Sequence, residues 1–140
     1  QYVEAAIDIQ RLTKTTQDVS RVLNGLPGSF GATLEAHMQR RGMTQEQLAE
    51  GSLLGVRSIR TYRGTEYPTI TLPRVVAICV GLKLHPILSA DLIRKAGLGF
   101  NLSEEHLAYQ ILLGSLTHNS IYECNDYLRA VGVPPLGKEE

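Results

Sequence analysis

The sequence predicts an all-α protein, and three observations carry that expectation. Apolar residues recur three and four positions apart almost throughout the 140 residues. Alternating β-branched runs long enough to make a strand are missing. The periodic runs open on serine, threonine or asparagine and close on glycine, the residues that cap and stop helices. With 14 basic and 14 acidic side chains and 43% hydrophobic residues, the chain has the composition of one ordinary soluble domain rather than of a long disordered tail. At this length folding hides about two-thirds of the surface of the unfolded chain, so a core can form without a metal or a disulfide.

The opening segment, Tyr2 to Ile9, has a helical pattern, which the threonines at 13, 15 and 16 weaken before Val19, Val22 and Leu23 resume it. Asn24-Gly25-Leu26-Pro27-Gly28 then breaks the chain. Residues 1–28 are therefore expected to be a linker or docking helix from an upstream region, and Gln1, not a natural start residue, suggests a piece of a longer chain. Ser29 caps a helix over 30–41, with Phe30, Leu34 and Met38 four apart on one face and Gly42 as the stop. Thr44 and Gln47 make a capping box, and Met43 can staple onto Leu48. That helix is short, because Gly51-Ser52 follows within two turns. Residues 56–63 hide Ile59 and Tyr62 and show polar groups elsewhere, until Gly64. A polar loop over 65–69 leads to a nearly all-apolar helix with Pro73 in its first turn, reaching to about Val80 with Gly81 as its stop. Pro86 opens a fifth helix through Ala96, and Gly97-Leu98-Gly99 closes a module spanning 29–99.

Residues 100–140 read as a two-helix extension. Asn101 or Ser103 caps the first helix, which carries Leu107, Ile111, Leu112 and Leu116; Asn119 or Ser120 caps the second, whose expected buried stripe is Ile121, Cys124, Leu128 and Val131. Pro134-Pro135 ends it. Tyr109, Tyr122 and Tyr127 add more apolar surface than two helices bury alone. They either pack back on the preceding five helices or form a dimer or partner interface.

Zero net charge hides an asymmetry. Residues 33–100 carry nine cations against five acids, a net charge of +4, whereas residues 101–140 carry two against six, a net charge of −4. A basic middle suits a polyanion. Two short helices joined by a tight turn, the second with Arg57, Arg60 and Arg63 three apart and no acid between them, match a helix-turn-helix whose second helix enters the DNA major groove.

The run Met43-Thr44-Gln45-Glu46-Gln47-Leu48-Ala49-Glu50, the anchors Leu54, Ile59 and Tyr62, then Pro68-Thr69-Ile70 and a helix ending Val80-Gly81-Leu82 resemble the lambda-repressor-like, or xenobiotic-response-element-type, helix-turn-helix family. The likeness covers about residues 30–97, half the chain, and rests on order and spacing. It implies five helices and sequence-specific binding of double-stranded DNA, in the service of transcriptional regulation. It also implies Gln45 on a phosphate, Gly55 at the cap of the recognition helix, Val56 and Arg57 at base-reading positions, and Thr61 one turn later on the same side. An arginine fork there suits guanine O6 and N7, and Val56 a thymine methyl. Arg60 and Arg63 are expected to reach phosphates, and Ser58 to serve either role because its hydroxyl donates and accepts. Family members commonly read palindromic sites as dimers, so a homodimer goes with the resemblance.

Three positions depart from the family pattern. Leu53 falls where the turn usually has glycine at positive φ, so a costly or distorted turn is expected. Arg63 stands where a glutamate usually precedes the glycine, which adds positive charge and removes an intramolecular contact. Gly55 replaces a hydroxyl cap at a penalty of a few tenths of a kcal/mol.

Other chemistries find little footing. His37, His85, His106, His118, Cys79 and Cys124 have no zinc-site spacing, so no metal is expected, and both cysteines read as inert core residues of a reducing, cytoplasmic protein. Asn101-Leu102-Ser103 reads as a helix cap rather than a glycosylation site. No phosphate-cradling glycine loop, H-E-x-x-H motif or buried carboxylate pair marks an enzyme or a cofactor, and no stretch is long and apolar enough for a membrane span. The competing reading is a protein-docking module of the same fold within a larger protein, whose arginines meet acidic side chains. Pairing of Arg57 or Arg60 with Glu46 or Glu66 would favour it.

Overall fold

A computed structural model describes residues 7–138, which form eight α-helices and, among the described residues, no strand. They are α1 (Ile9–Asn24), α2 (Phe30–Arg41), α3 (Gln45–Ser52), α4 (Val56–Arg63), α5 (Leu72–Leu82), α6 (Pro86–Lys95), α7 (Glu104–Ser115) and α8 (Ile121–Ala130). No described helix is long and apolar enough to cross a membrane.

Local chemistry sets most of the ends. Ser29, Ser103 and Ser120 each accept a hydrogen bond from a first-turn amide, and the Thr44/Gln47 and Ser120/Glu123 pairs form reciprocal capping boxes. Gly42, at φ 64°, ends α2 in the left-handed conformation that glycine adopts at no steric cost.

Three expectations are corrected. α1 starts at Ile9, capped by Asp8, and runs through the threonines, because Lys14–Asp18 and Arg21–Asp18 ion pairs lace its exposed side and Val19, Val22 and Leu23 pack on the core. The expected helical stretch from Tyr2 to Ala6 lies outside the described residues. Gly81 does not stop α5. It is buried inside that helix, where α3 crosses so closely that a Cβ on Gly81 would stand 3.2 Å from the Gly51 carbonyl carbon and 2.9 Å from Leu48 Cδ1. The stop is Lys83, at φ 50°. Val131 is not in the buried stripe: α8 ends at Ala130, ahead of the prolines, Gly132 turns the chain at φ 77°, and Val133 goes inside while Val131 stays 45% exposed. On α7 the buried residues are Ala108, Tyr109, Leu112 and Leu113, while Leu107 and Ile111 face outward.

One continuous core runs from Phe30 to Leu136. Its middle is α5, whose residues from Val75 to Leu82 are all buried and which packs against α2, α3, α6, α7 and α8. The tail helices thus pack back on the other helices, with Tyr109 buried and its phenol donating to Glu105 at 2.8 Å, while Tyr122 remains exposed. Cys79 and Cys124 are free and buried.

Candidate nucleic-acid interface

The candidate surface is built on α3, the turn after it and α4. α4 is only eight residues long and owes its place to packing rather than to intrinsic helix stability. Ile59 and Tyr62 bury its inner face, and Arg74 Nη1 donates to the Tyr62 hydroxyl at 2.8 Å. Its far end is fixed by Gly31 at the start of α2. A Cβ on Gly31 would stand 2.6 Å from the carbonyl oxygens of Arg63 and Thr65, and the Gly31 amide donates to Thr65 O at 3.2 Å. Only glycine allows that approach.

The turn before α4 holds the strain expected of Leu53. It is not distorted: Leu53 takes φ 57°, ψ 30°, a left-handed conformation that costs a side-chain-bearing residue roughly 1–2 kcal/mol. Three contacts offset this. The Leu54 amide donates to Ala49 O at 3.2 Å, Leu53 packs on the core, and the Leu53 carbonyl accepts from the Lys138 amide at 2.9 Å.

The residues singled out from the sequence fall into three groups. Arg57, Arg60 and Thr61 are all exposed on α4. Neither arginine forms an ion pair among the described residues, and neither Glu46 nor Glu66 is bonded to them. The Thr61 hydroxyl donates to Arg57 O at 3.0 Å, which leaves its lone pairs outward. Val56 and Ser58 are half-buried, and Ser58 lines a groove with Gly55, Arg74, Pro135 and Lys138 rather than sharing the open face. Gly55 offers α4 no side-chain cap, so the positive end of the helix keeps its first-turn amides free of a capping side chain.

Arg63 and Gln45 form the third group, and they meet each other. Arg63 Nη1 donates to Gln45 Oε1 at 2.6 Å, and Nη2 pairs with Glu35 on α2 at 3.1 Å. Arg63, expected to reach a phosphate, is half-buried and occupied by these two intramolecular partners. Sequence reading missed Glu35 because its partner lies 28 positions away. It also missed Arg74 and the contact of the C-terminal segment with the turn, although the basic count over 33–100 includes Arg74.

Neither the models of known families nor the curated proteins nor the solved structures contain a match to this chain. The chemistry of the surface therefore stands on its own residues. It presents two guanidinium groups without an ion pair among the described residues, each with five donors in a planar fork, next to a helix N-terminus without a side-chain cap, an arrangement that attracts anions.

Proposed function

We propose that this chain binds double-stranded DNA sequence-specifically and acts in transcriptional regulation, with α2–α6 serving as a lambda-repressor-like five-helix unit and α4 entering the major groove. One observation carries the reading: Arg57 and Arg60 are exposed together on α4 with no carboxylate paired to either among the described residues. Two exposed cations one turn apart repel each other only weakly in water, but together they form a positive patch to which a DNA backbone supplies the counter-charge. Arg57, in the first turn of α4, is the base-reading candidate, with Val56 and Thr61 at its flanks. Arg60 is the phosphate contact. Gln45 and Arg63, joined to each other and to Glu35, act as a brace between α2, α3 and α4. A homodimer reading two half-sites about 34–36 Å apart belongs to the same proposal.

The test is binding of labelled random-sequence duplex at ~50 and ~200 mM salt, followed by selection of the preferred sequence, because phosphate contacts weaken steeply over that range. Arg60→Ala should lower affinity for all sequences and reduce the salt slope by ~1. Arg57→Ala should relax the selected sequence as well. Absence of binding at the lower salt refutes the proposal and favours a protein-docking module.

A further inference from the structure

The last described residues do not trail away from the fold. Leu136 is completely buried, and Asn125 of α8, also completely buried, clamps its backbone from both sides: Nδ2 donates to Leu136 O at 3.1 Å, and the Leu136 amide donates to Oδ1 at 2.7 Å. Just past this clamp Gly137 takes φ 69° and lies against the turn between α3 and α4. A Cβ on Gly137 would collide with Leu53 Cβ and stand 2.7 Å from Leu53 O and 2.8 Å from Ser52 O. The next residue closes the contact, the Lys138 amide donating to Leu53 O.

We infer that residues 133–138 are a strap that sets the position of α4 relative to α3, with Asn125 and Gly137 as positioning residues for Arg57 and Arg60. The direction of the Leu53 carbonyl is fixed by the backbone torsion of Leu53 itself. A hydrogen bond to that carbonyl therefore forms with the left-handed conformer and is lost when the turn relaxes. Relaxation at Leu53, two residues before the cap of α4, would swing α4 as a body, because this two-turn helix has no side-chain cap and its first turn is held only by this turn and by Val56 against the core. Asn125 extends the chain of contacts into the core: it pins Leu136, Leu136 seats Gly137, and Gly137 together with the Lys138 amide holds Leu53. The strap also forms one wall of the groove that Ser58 and Arg74 line, so it lies beside the first turn of α4 and not at its far end. The effect on DNA rests on the reading of α4 given above; the mechanical role of the strap does not.

Two variants and a control test it in the full chain. Lys138→Pro removes the amide donor, Lys138→Ala removes the charge and keeps the amide, and Gly137→Ala introduces the colliding Cβ. Hydrogen exchange followed residue by residue should find the Leu54 and Ile59 amides, bonded to Ala49 O and Gly55 O, exchanging ~10-fold faster in Lys138→Pro and Gly137→Ala, with α6 amides unchanged and Lys138→Ala like wild type. The preference for the selected duplex over random duplex should fall ~10-fold in the same two variants while the salt slope is kept, a separation that general destabilisation does not produce. Wild-type exchange at Leu54 and Ile59 in Lys138→Pro overturns the strap. Should Gly137→Ala fail to fold, the Lys138→Pro and Lys138→Ala pair decides alone. Wild-type protein that binds no DNA sinks the DNA reading, and the exchange experiment still decides the strap.

Discussion

His37 makes stability depend on pH in a window where few other groups act. It is completely buried in α2, and Arg40, which can only donate, bonds to its Nδ1 at 3.1 Å. The proton of the neutral ring is thus on Nε2, a buried atom with no partner. Burial first, then the neighbouring Arg40 charge, pushes its pKa from 6.5 down to about 4; Asp91 pulls the other way and Lys95 adds to the depression. The sign follows from proton counting. Above pH 6.5 the ring is neutral folded and unfolded, so it adds no pH dependence. Below it, the unfolded chain takes up a proton that the folded chain refuses, and stability falls by about 1.4 kcal/mol per pH unit, about 2 kcal/mol by pH ~5 and about 3 kcal/mol by the folded value. Urea denaturation of wild type and His37→Leu between pH ~7.5 and ~4.5 isolates this contribution, because the leucine removes both the titrating group and its unsatisfied N–H. The wild-type midpoint should drop with acid while the variant stays flatter, the two curves diverging by about 2 kcal/mol at pH ~5. Parallel curves from pH ~6.5 to ~5 would refute the reasoning.

Three further outcomes follow from contacts described above. Gly81→Ala should destabilise by about 1–2 kcal/mol, since overpacking against α3 backbone outweighs the helix propensity gained, whereas Gly51→Ala, whose nearest contact would be an ordinary 3.4 Å, should be neutral or stabilising by up to ~1 kcal/mol; thermal melts of both variants settle the order. Glu35→Ala should cost less than ~1 kcal/mol, because the pair with Arg63 is partly exposed, and should leave Arg63 held by Gln45 alone, so that the salt slope of DNA binding rises by up to ~1; an unchanged slope would place Arg63 out of reach of DNA. Burial raises the Cys79 thiol to about 12 and the Cys124 thiol to about 11, so a thiol-specific chromogenic disulfide should react with native protein only after denaturant is added.

What the sequence disclosed was mostly local. Ser29, Thr44 with Gln47, and Gly42 act within one turn of their own position, and each does in the fold what its type and spacing predict. Gly81 looked like Gly42 from the sequence and was not, because the two glycines answer different demands: one supplies a left-handed turn, the other the space for a crossing helix more than 25 residues earlier in the chain. No local signal separates those uses. The left-handed Leu53 was expected only through the resemblance, which places a glycine position there, and what compensates it was not legible at all, since Pro134-Pro135-Leu136-Gly137 has no periodicity and reads as a stub. On the candidate surface, the exposure of Arg57, Arg60 and Thr61 followed from Ile59 and Tyr62 fixing the opposite face. The capture of Arg63 by Glu35 did not, because an ion pair between distant segments leaves no mark in spacing.

The placing of α5 at the centre of the core constrains how this protein can respond to anything that binds it. An effector acting through α7 or α8 would have to lift a helix from α5, the same helix on which α2 and α3 pack within one continuous core. Signals from the tail are therefore expected to register as changes in the folding equilibrium of the whole, not as a hinge between two rigid halves. The slowest-exchanging amides should be those of α5, opening only when all of the protein does, and a ligand for the tail helices should slow them by as much as it stabilises the fold.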